Sequence, residues 1–221
     1  LASLAAYGIV AAASLAIVLV GQLDRSTYLA PLIFGNTGNL GLPLALFAFG
    51  DEGLSYAVVV FAVMAILSFT IGIWLVAGSG SIGKVVKEPM VAGTLLGALF
   101  LWQGWKTPEF MTNALELIGQ MAIPLMLITL GVAIARLKVV TIGKAVLLSA
   151  LKVIICVAAA WFVAQWFELA PVATAVLVVQ VATPVAVTSY MLAEKYEADS
   201  ETVAGLVVTS TLLSVITLPL I

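Results

Sequence analysis

Histidine is absent from the 221 residues, and there is a single cysteine, Cys156. Catalytic histidines and histidine-based metal sites are thereby excluded, and no disulfide can form within the chain. Charge is scarce: only 9% of residues are Asp, Glu, Lys or Arg, with a net of −2 and no basic patch for nucleic acid. No carboxylate falls in the middle of an apolar run; Glu116 comes nearest. An intramembrane proton relay of the usual carboxylate kind is therefore not visible. An intramembrane enzyme would need a nucleophile–base pair or metal ligands, and the sequence offers neither. No enzymatic activity and no cofactor are expected.

What remains is overwhelmingly apolar. The chain is 63% hydrophobic, and its mean hydropathy is +1.24. Such values belong to a polytopic helical membrane protein rather than a soluble domain. Eight apolar segments follow one another at 1–20, 28–50, 54–77, 89–105, 112–137, 142–167, 171–194 and 200–221. The sequence opens inside an apolar span with no basic region before it, which reads as a truncated first repeat rather than a signal peptide. Gly78-Ser79-Gly80-Ser81 with Lys84 and Lys87 forms a flexible basic linker at 78–88,. Pro89 suits the first turn of the fourth helix, Pro124 lies inside the fifth, and Ser200 is placed to cap the eighth.

Two of these segments are interrupted. Phe34-Gly35-Asn36-Thr37-Gly38-Asn39-Leu40-Gly41-Leu42-Pro43 puts three glycines, two asparagines and a proline into the middle of 28–50. Proline lacks an N–H and its ring meets the carbonyl four residues back. Gln180-Val181-Ala182-Thr183-Pro184 interrupts 171–194 in the same manner. Each interruption leads through a short helical stretch to an acidic turn, Asp51-Glu52 or 194–201, and then to a full apolar span. Broken backbone at membrane depth survives only where protein or a water-filled cavity shields it. Paired broken helices in two halves point to a transporter binding site.

With Pro43 and Pro184 as ruler points, segments one to three correspond to six to eight, and two helices are missing upstream. The expected fold is all-α: inverted five-helix repeats with two crossed broken helices, eight of the ten helices being present. Residues 1–77 end the first repeat, 78–88 link, and 89–221 form the second. Arg25, Lys84, Lys87, Arg136, Lys138, Lys144 and Lys195 lie in or beside alternate turns, whereas the other turns hold only Lys106. The positive-inside rule then places the first set in the cytoplasm and the C-terminus outside.

The stretch Asn36-Thr37-Gly38-Asn39-Leu40-Gly41-Leu42-Pro43-Leu44 resembles the first crossover motif of the auxin efflux carrier family, which includes plant PIN proteins and bacterial malate- or malonate-type permeases. Gln180, Pro184 and Ala193-Glu194-Lys195-Tyr196 resemble the second crossover, and 122–131 is similar to the family as well. The resemblance implies ten helices, a scaffold domain, a moving domain carrying both crossed helices, and an organic anion as substrate. The long cytoplasmic loop of plant carriers is reduced here to about 78–88, and Glu88-Pro89-Met90 replaces their asparagine-flanked proline. Both departures favour a small-acid carrier over an auxin carrier.

The residues expected at the substrate are Asn36, Asn39, Gly41, Pro43, Gln180, Thr183, Pro184 and Lys152. The amides of Asn36, Asn39 and Gln180 both donate and accept. Backbone near Gly41 is freed by the break, and half-helices starting near Pro43 and Pro184 would aim their positive ends at an anion. Thr183 has the alternative of bonding back to its own helix. Lys152 lies well inside its span, where a cation is a functional candidate, unless it snorkels to the surface. Gly93 and Gly97 form a GxxxG pair suited to close helix contact, and Trp102, Trp105, Trp161 and Trp166 read as interface anchors. The partners expected are the bilayer and a small organic anion; a homodimer stays open. A sodium-coupled carrier of the bile-acid type is the alternative, and a channel with pore-lining rings is a further class.

Overall fold

The computed structural model describes residues 1–77, 89–136 and 142–221. Regular structure among them is helical: α1 (Ala2–Val20), α2 (Arg25–Ile33), α3 (Leu42–Leu67), α4 (Ile73–Ala77), α5 (Pro89–Gln103), α6 (Glu109–Gln120), α7 (Ala122–Arg136), α8 (Ile142–Trp166), α9 (Pro171–Val181), α10 (Val187–Lys195) and α11 (Ser200–Thr217). Four helical stretches, Ala2–Val20, Thr37–Ala77, Gly143–Trp166 and Ser200–Leu220, are long and apolar enough to cross a bilayer,. The protein is an all-α polytopic membrane protein. The expected linker at 78–88, with Lys84 and Lys87, and Lys138 lie outside the described residues.

Central to the packing is α8, which lies against α1, α9 and α11, while α2 packs on α1, α4, α10 and α11. Tyr7, Leu32, Phe34, Cys156, Val181 and Leu206 belong to one buried cluster. Burying that surface, at about 25 cal/mol per Å², is what holds the short helices α2, α9 and α10, which could not persist alone.

Turns recur in matched pairs. After α1, Gln22 takes φ +49° and the Leu23 N–H donates to Val18 O at 2.9 Å. After α8, Glu168 also takes φ +49° and the Leu169 N–H donates to Ala164 O at 3.0 Å. Both are six-to-one helix closures with a left-handed residue. Gly50 (φ +62°) and Glu197 (φ +58°) form a second pair, each just before the last long span of its half.

Several expectations need correction. The Asp51-Glu52 turn shrinks to Gly50, whose φ of +62° and ψ of −155° fold the chain while helix resumes at once on either side. Only glycine takes that conformation without strain. The eighth segment is capped not by Ser200 but by Asp199, whose carboxylate accepts the Thr202 N–H at 3.0 Å. Asp24 caps α2 in the same way, accepting the Thr27 N–H at 2.8 Å. The fifth segment is two helices, parted at Met121. Pro124 therefore stands in the first turn of α7, where its missing N–H costs nothing. Gly93 and Gly97 are open, since a Cβ at either would meet nothing within 4 Å among the described residues. The close contact expected of that pair is not formed there.

Candidate site at the crossing of two broken helices

Past α2 the backbone opens: Phe34 has φ −93° and ψ +126°. Past α9 it opens again, and Ala186 has φ −63° and ψ +134° just before α10. The open stretches run antiparallel, pairing Gly35 with Val185. The Asn36 N–H donates to Pro184 O at 2.7 Å, and the Ala186 N–H donates to Phe34 O at 3.3 Å. Each break thus supplies hydrogen bonds that the other has lost, which matters where no water can replace them. The approach is close enough to require glycine. A Cβ on Gly35 would overlap Thr183 Oγ1 and stand 3.1 Å from Thr183 O.

After Asn36 the chain does not return to an α-helix directly. Residues Thr37–Gly41 form a wide π-type turn. In it the Leu40 and Gly41 N–H groups both donate to Asn36 O, at 3.2 and 3.1 Å, and the Leu42 N–H reaches back to Thr37 O. Pro43 explains the widening: in a regular helix its ring would press on Asn39 O. The assignment of Pro43 to the break itself is therefore corrected. Pro184 lies within its break, but Pro43 lies beyond, in the first turn of α3. The stretches that leave the crossing begin at Thr37 and Val187, so the two prolines are not equivalent ruler points.

Asn36 and Asn39 come together as expected. With Gly35, Ser68 and Thr188 among others they line a cavity of about 40 Å³. Asn36 is buried, Asn39 partly so. Asn36 Nδ2 and the neighbouring Thr37 Oγ1 are buried without a hydrogen-bond partner. A wider space of about 490 Å³, lined by Met191, Glu194 and Lys195 among others, shares Phe69 and Thr188 with this cavity. Gln180 is fully buried, and both polar atoms of its amide lack a partner. It lies directly against the wide turn, since a Cβ on Gly41 would overlap Gln180 Oε1 and stand 2.8 Å from Gln180 Cδ. Thr183 takes its alternative role: Oγ1 donates to Gln180 O at 2.7 Å.

Lys152 does not snorkel. It is 3% exposed, and Nζ donates to Leu32 O at 3.1 Å, with Cys156 Sγ at 3.9 Å. Like Gln180, it lines neither the 40 Å³ nor the 490 Å³ cavity; unlike the Gln180 amide, which has no partner, its Nζ is already engaged at Leu32 O. A roomier concavity, about 950 Å³, is bounded by Leu40 of the wide turn, Leu44, Trp161, Leu218 and other mainly apolar groups. Its size does not make it the site, because the unpartnered buried amides are at the crossing.

The family of proteins described as "Membrane transport protein" matches residues 81–221. The chain belongs to this family. An uncharacterized transporter of Methanocaldococcus jannaschii is 28% identical over 203 residues, covering 85% of this chain and 64% of the relative. An uncharacterized transporter of Methanothermobacter thermautotrophicus is 28% identical over 192 residues, covering 84% of this chain and 63% of the relative. The chain thus spans somewhat less than two thirds of either archaeal transporter. A membrane transport protein is what the crossover motifs led the sequence to suggest.

In this membrane transport protein, three contributors to the crossing were not singled out from sequence. Ser210 Oγ on α11 accepts the Val185 N–H at 3.0 Å while donating to Val207 O at 3.2 Å. Thr37 and Thr188 flank the cavity region. Their signal is faint, because serine and threonine in membrane helices mostly bond back to their own helix, as Thr209 does to Gly205 O. The helix α7, read from sequence only as family-like, packs against the wide turn.

Proposed function

We propose that this membrane transport protein is a secondary carrier that exports or exchanges small organic anions of the carboxylate class. Alternating access would come from the crossed half-helices moving against the α5–α7 side. One observation carries the reading: two mutually hydrogen-bonded breaks with the buried amides of Asn36 and Gln180 left unpartnered beside them. An unpaired buried polar group costs about 1–3 kcal/mol. Groups kept at that cost, at the crossing of paired broken helices, suit a ligand. The wide turn and α10 both start at the crossing, and helix starts favour negative charge.

A space of about 40 Å³ admits only a carboxylate tip. The rest of an acid would occupy the 490 Å³ space beside Phe69 and Thr188, which serves as the entry on the Lys195 side. The lysine and arginine bias makes that side cytoplasmic, with the C-terminus outside. The matched turns at Gln22 and Glu168, and at Gly50 and Glu197, support an inverted pair of repeats. The crossover resemblance favours an auxin-carrier relative specialised for small acids.

Counterflow of radiolabelled malonate, malate and indole-3-acetate into proteoliposomes containing the full-length protein tests the proposal. Saturable exchange of at least one acid is expected, weakened about tenfold to a hundredfold by Asn36→Ala and by Gln180→Ala. Absence of carboxylate exchange, or wild-type affinity in both variants, would overturn it. Cysteines placed at Lys84 and Lys138 should be labelled only from the cytoplasm, and one at Glu109 only from outside.

A further inference from the structure

A nine-residue helix ending inside the protein presents carbonyls with no partner and a partial negative charge. At the end of α2 the amide that would close the next turn onto Leu32 O belongs to Asn36. That N–H is diverted across the crossing to Pro184 O. Leu32 is 2% exposed, so bulk water does not compensate. In its place stands Lys152 Nζ, 3.1 Å from Leu32 O. At the matching end of α9 no cation stands among the described residues: there the Thr183 hydroxyl and the Thr183 N–H serve Gln180 O. The lysine is thus specific to one break.

Broken-helix carriers commonly hold a metal cation at the carbonyl ends of their half-helices. We propose that Lys152 is a tethered cation that fills this place, so that the crossing is electrostatically complete without a sodium ion. The ammonium neutralises the end of α2 and holds the first break in register with the second. It is a positioning residue for the carrier, not a ligand of the carried acid. The surroundings fit a cation. Ser149, one turn before Lys152 on the same face of α8, is fully buried with its hydroxyl unpartnered. Tyr7 on α1 is buried with an unpartnered hydroxyl, in the same buried cluster as Cys156. With the lysine side chain removed, Leu32 O loses its cationic partner, and the unpartnered Ser149 hydroxyl lies one turn away on the same face; both are hard oxygens of the kind small cations take.

The test needs no knowledge of the substrate. Thermal unfolding of the purified full-length protein is followed in NaCl and in choline chloride at equal concentration. The wild type should show one midpoint in both salts. Lys152→Ala should unfold at a lower temperature in choline chloride, and NaCl should raise its midpoint saturably, by about 3 °C or more. The variant should also gain saturable ²²Na⁺ binding that the wild type lacks. Lys152→Arg should keep the wild-type midpoint and show no sodium response. If Lys152→Ala does not survive purification, Lys152→Met keeps the bulk of the stem and is read by the same two salts. Unfolding of either neutral variant that is indifferent to sodium, or a wild type that sodium stabilises, would overturn the proposal.

Discussion

The two breaks meet through the same pair of backbone hydrogen bonds, yet they are finished differently. The second is closed by its own neighbourhood: Thr183 caps Gln180 O from within the break, and Ser210 on α11 accepts the Val185 N–H. The first is closed from a distance, by Lys152 on α8. It then widens into the turn Thr37–Gly41, beside the cavity that Asn36 and Asn39 line. A break built from local hydroxyls is a fixed strut. A break held by one remote ammonium, with an unpartnered amide and room beside it, is the one suited to receive a ligand.

The largest effect on this contrast is expected from Gly41→Ala. Gly41 has helical backbone angles, so the added methyl costs only through its overlap with Gln180. Overpacking at a tight contact costs up to about 3 kcal/mol, and the displaced Gln180 should take substrate binding with it. A calorimetric scan and a binding isotherm on the same sample would show both losses; unchanged values would mean that the wide turn and α9 move apart freely.

Asn36→Ala comes next. It should lower substrate affinity by about 1.5–3 kcal/mol while leaving the unfolding midpoint near wild type. A fall in the midpoint with affinity retained would turn the first break into a strut like the second. Ser210→Ala should do the reverse. It leaves the buried Val185 N–H without an acceptor, at about 2 kcal/mol, with affinity unchanged in the fraction that stays folded. Equal effects of both variants on affinity would erase the distinction between the two breaks.

The smallest effects belong to the caps outside the membrane. Hydrogen bonds from Ser26 and Thr27 hold the Asp24 carboxyl below its ordinary value of 3.8. The Thr202 side chain and N–H do the same for Asp199, partly opposed by its burial and by the nearby Asp24 charge. Because both folded values are depressed, the stabilisation is fully present above pH 3.8 and is lost as pH falls through the lower folded values. Asp24→Ala and Asp199→Ala should each cost about 1 kcal/mol near neutrality. Each should also flatten the acid limb of a midpoint-against-pH curve. An acid limb unaltered in both variants would remove the caps from the account.

Composition, periodicity and spacing by themselves determined that the chain is an all-α membrane protein with two interrupted helices, because hydrocarbon tolerates little but unbroken helix and punishes every exception. They also brought out Asn36, Asn39 and Gln180, since amides stand out where so little else is polar. Local steric rules located the first break within 34–43 but not at its first residues, because Pro43 acts on the turn before it and widens that turn instead of ending the helix. The role of Lys152 was equally hidden: a lysine in an apolar run looks the same whether it snorkels, binds substrate or caps a distant carbonyl. Tertiary structure decided it, because the partner lies 120 residues away in sequence. That partner exists only because the Asn36 N–H was given to Pro184.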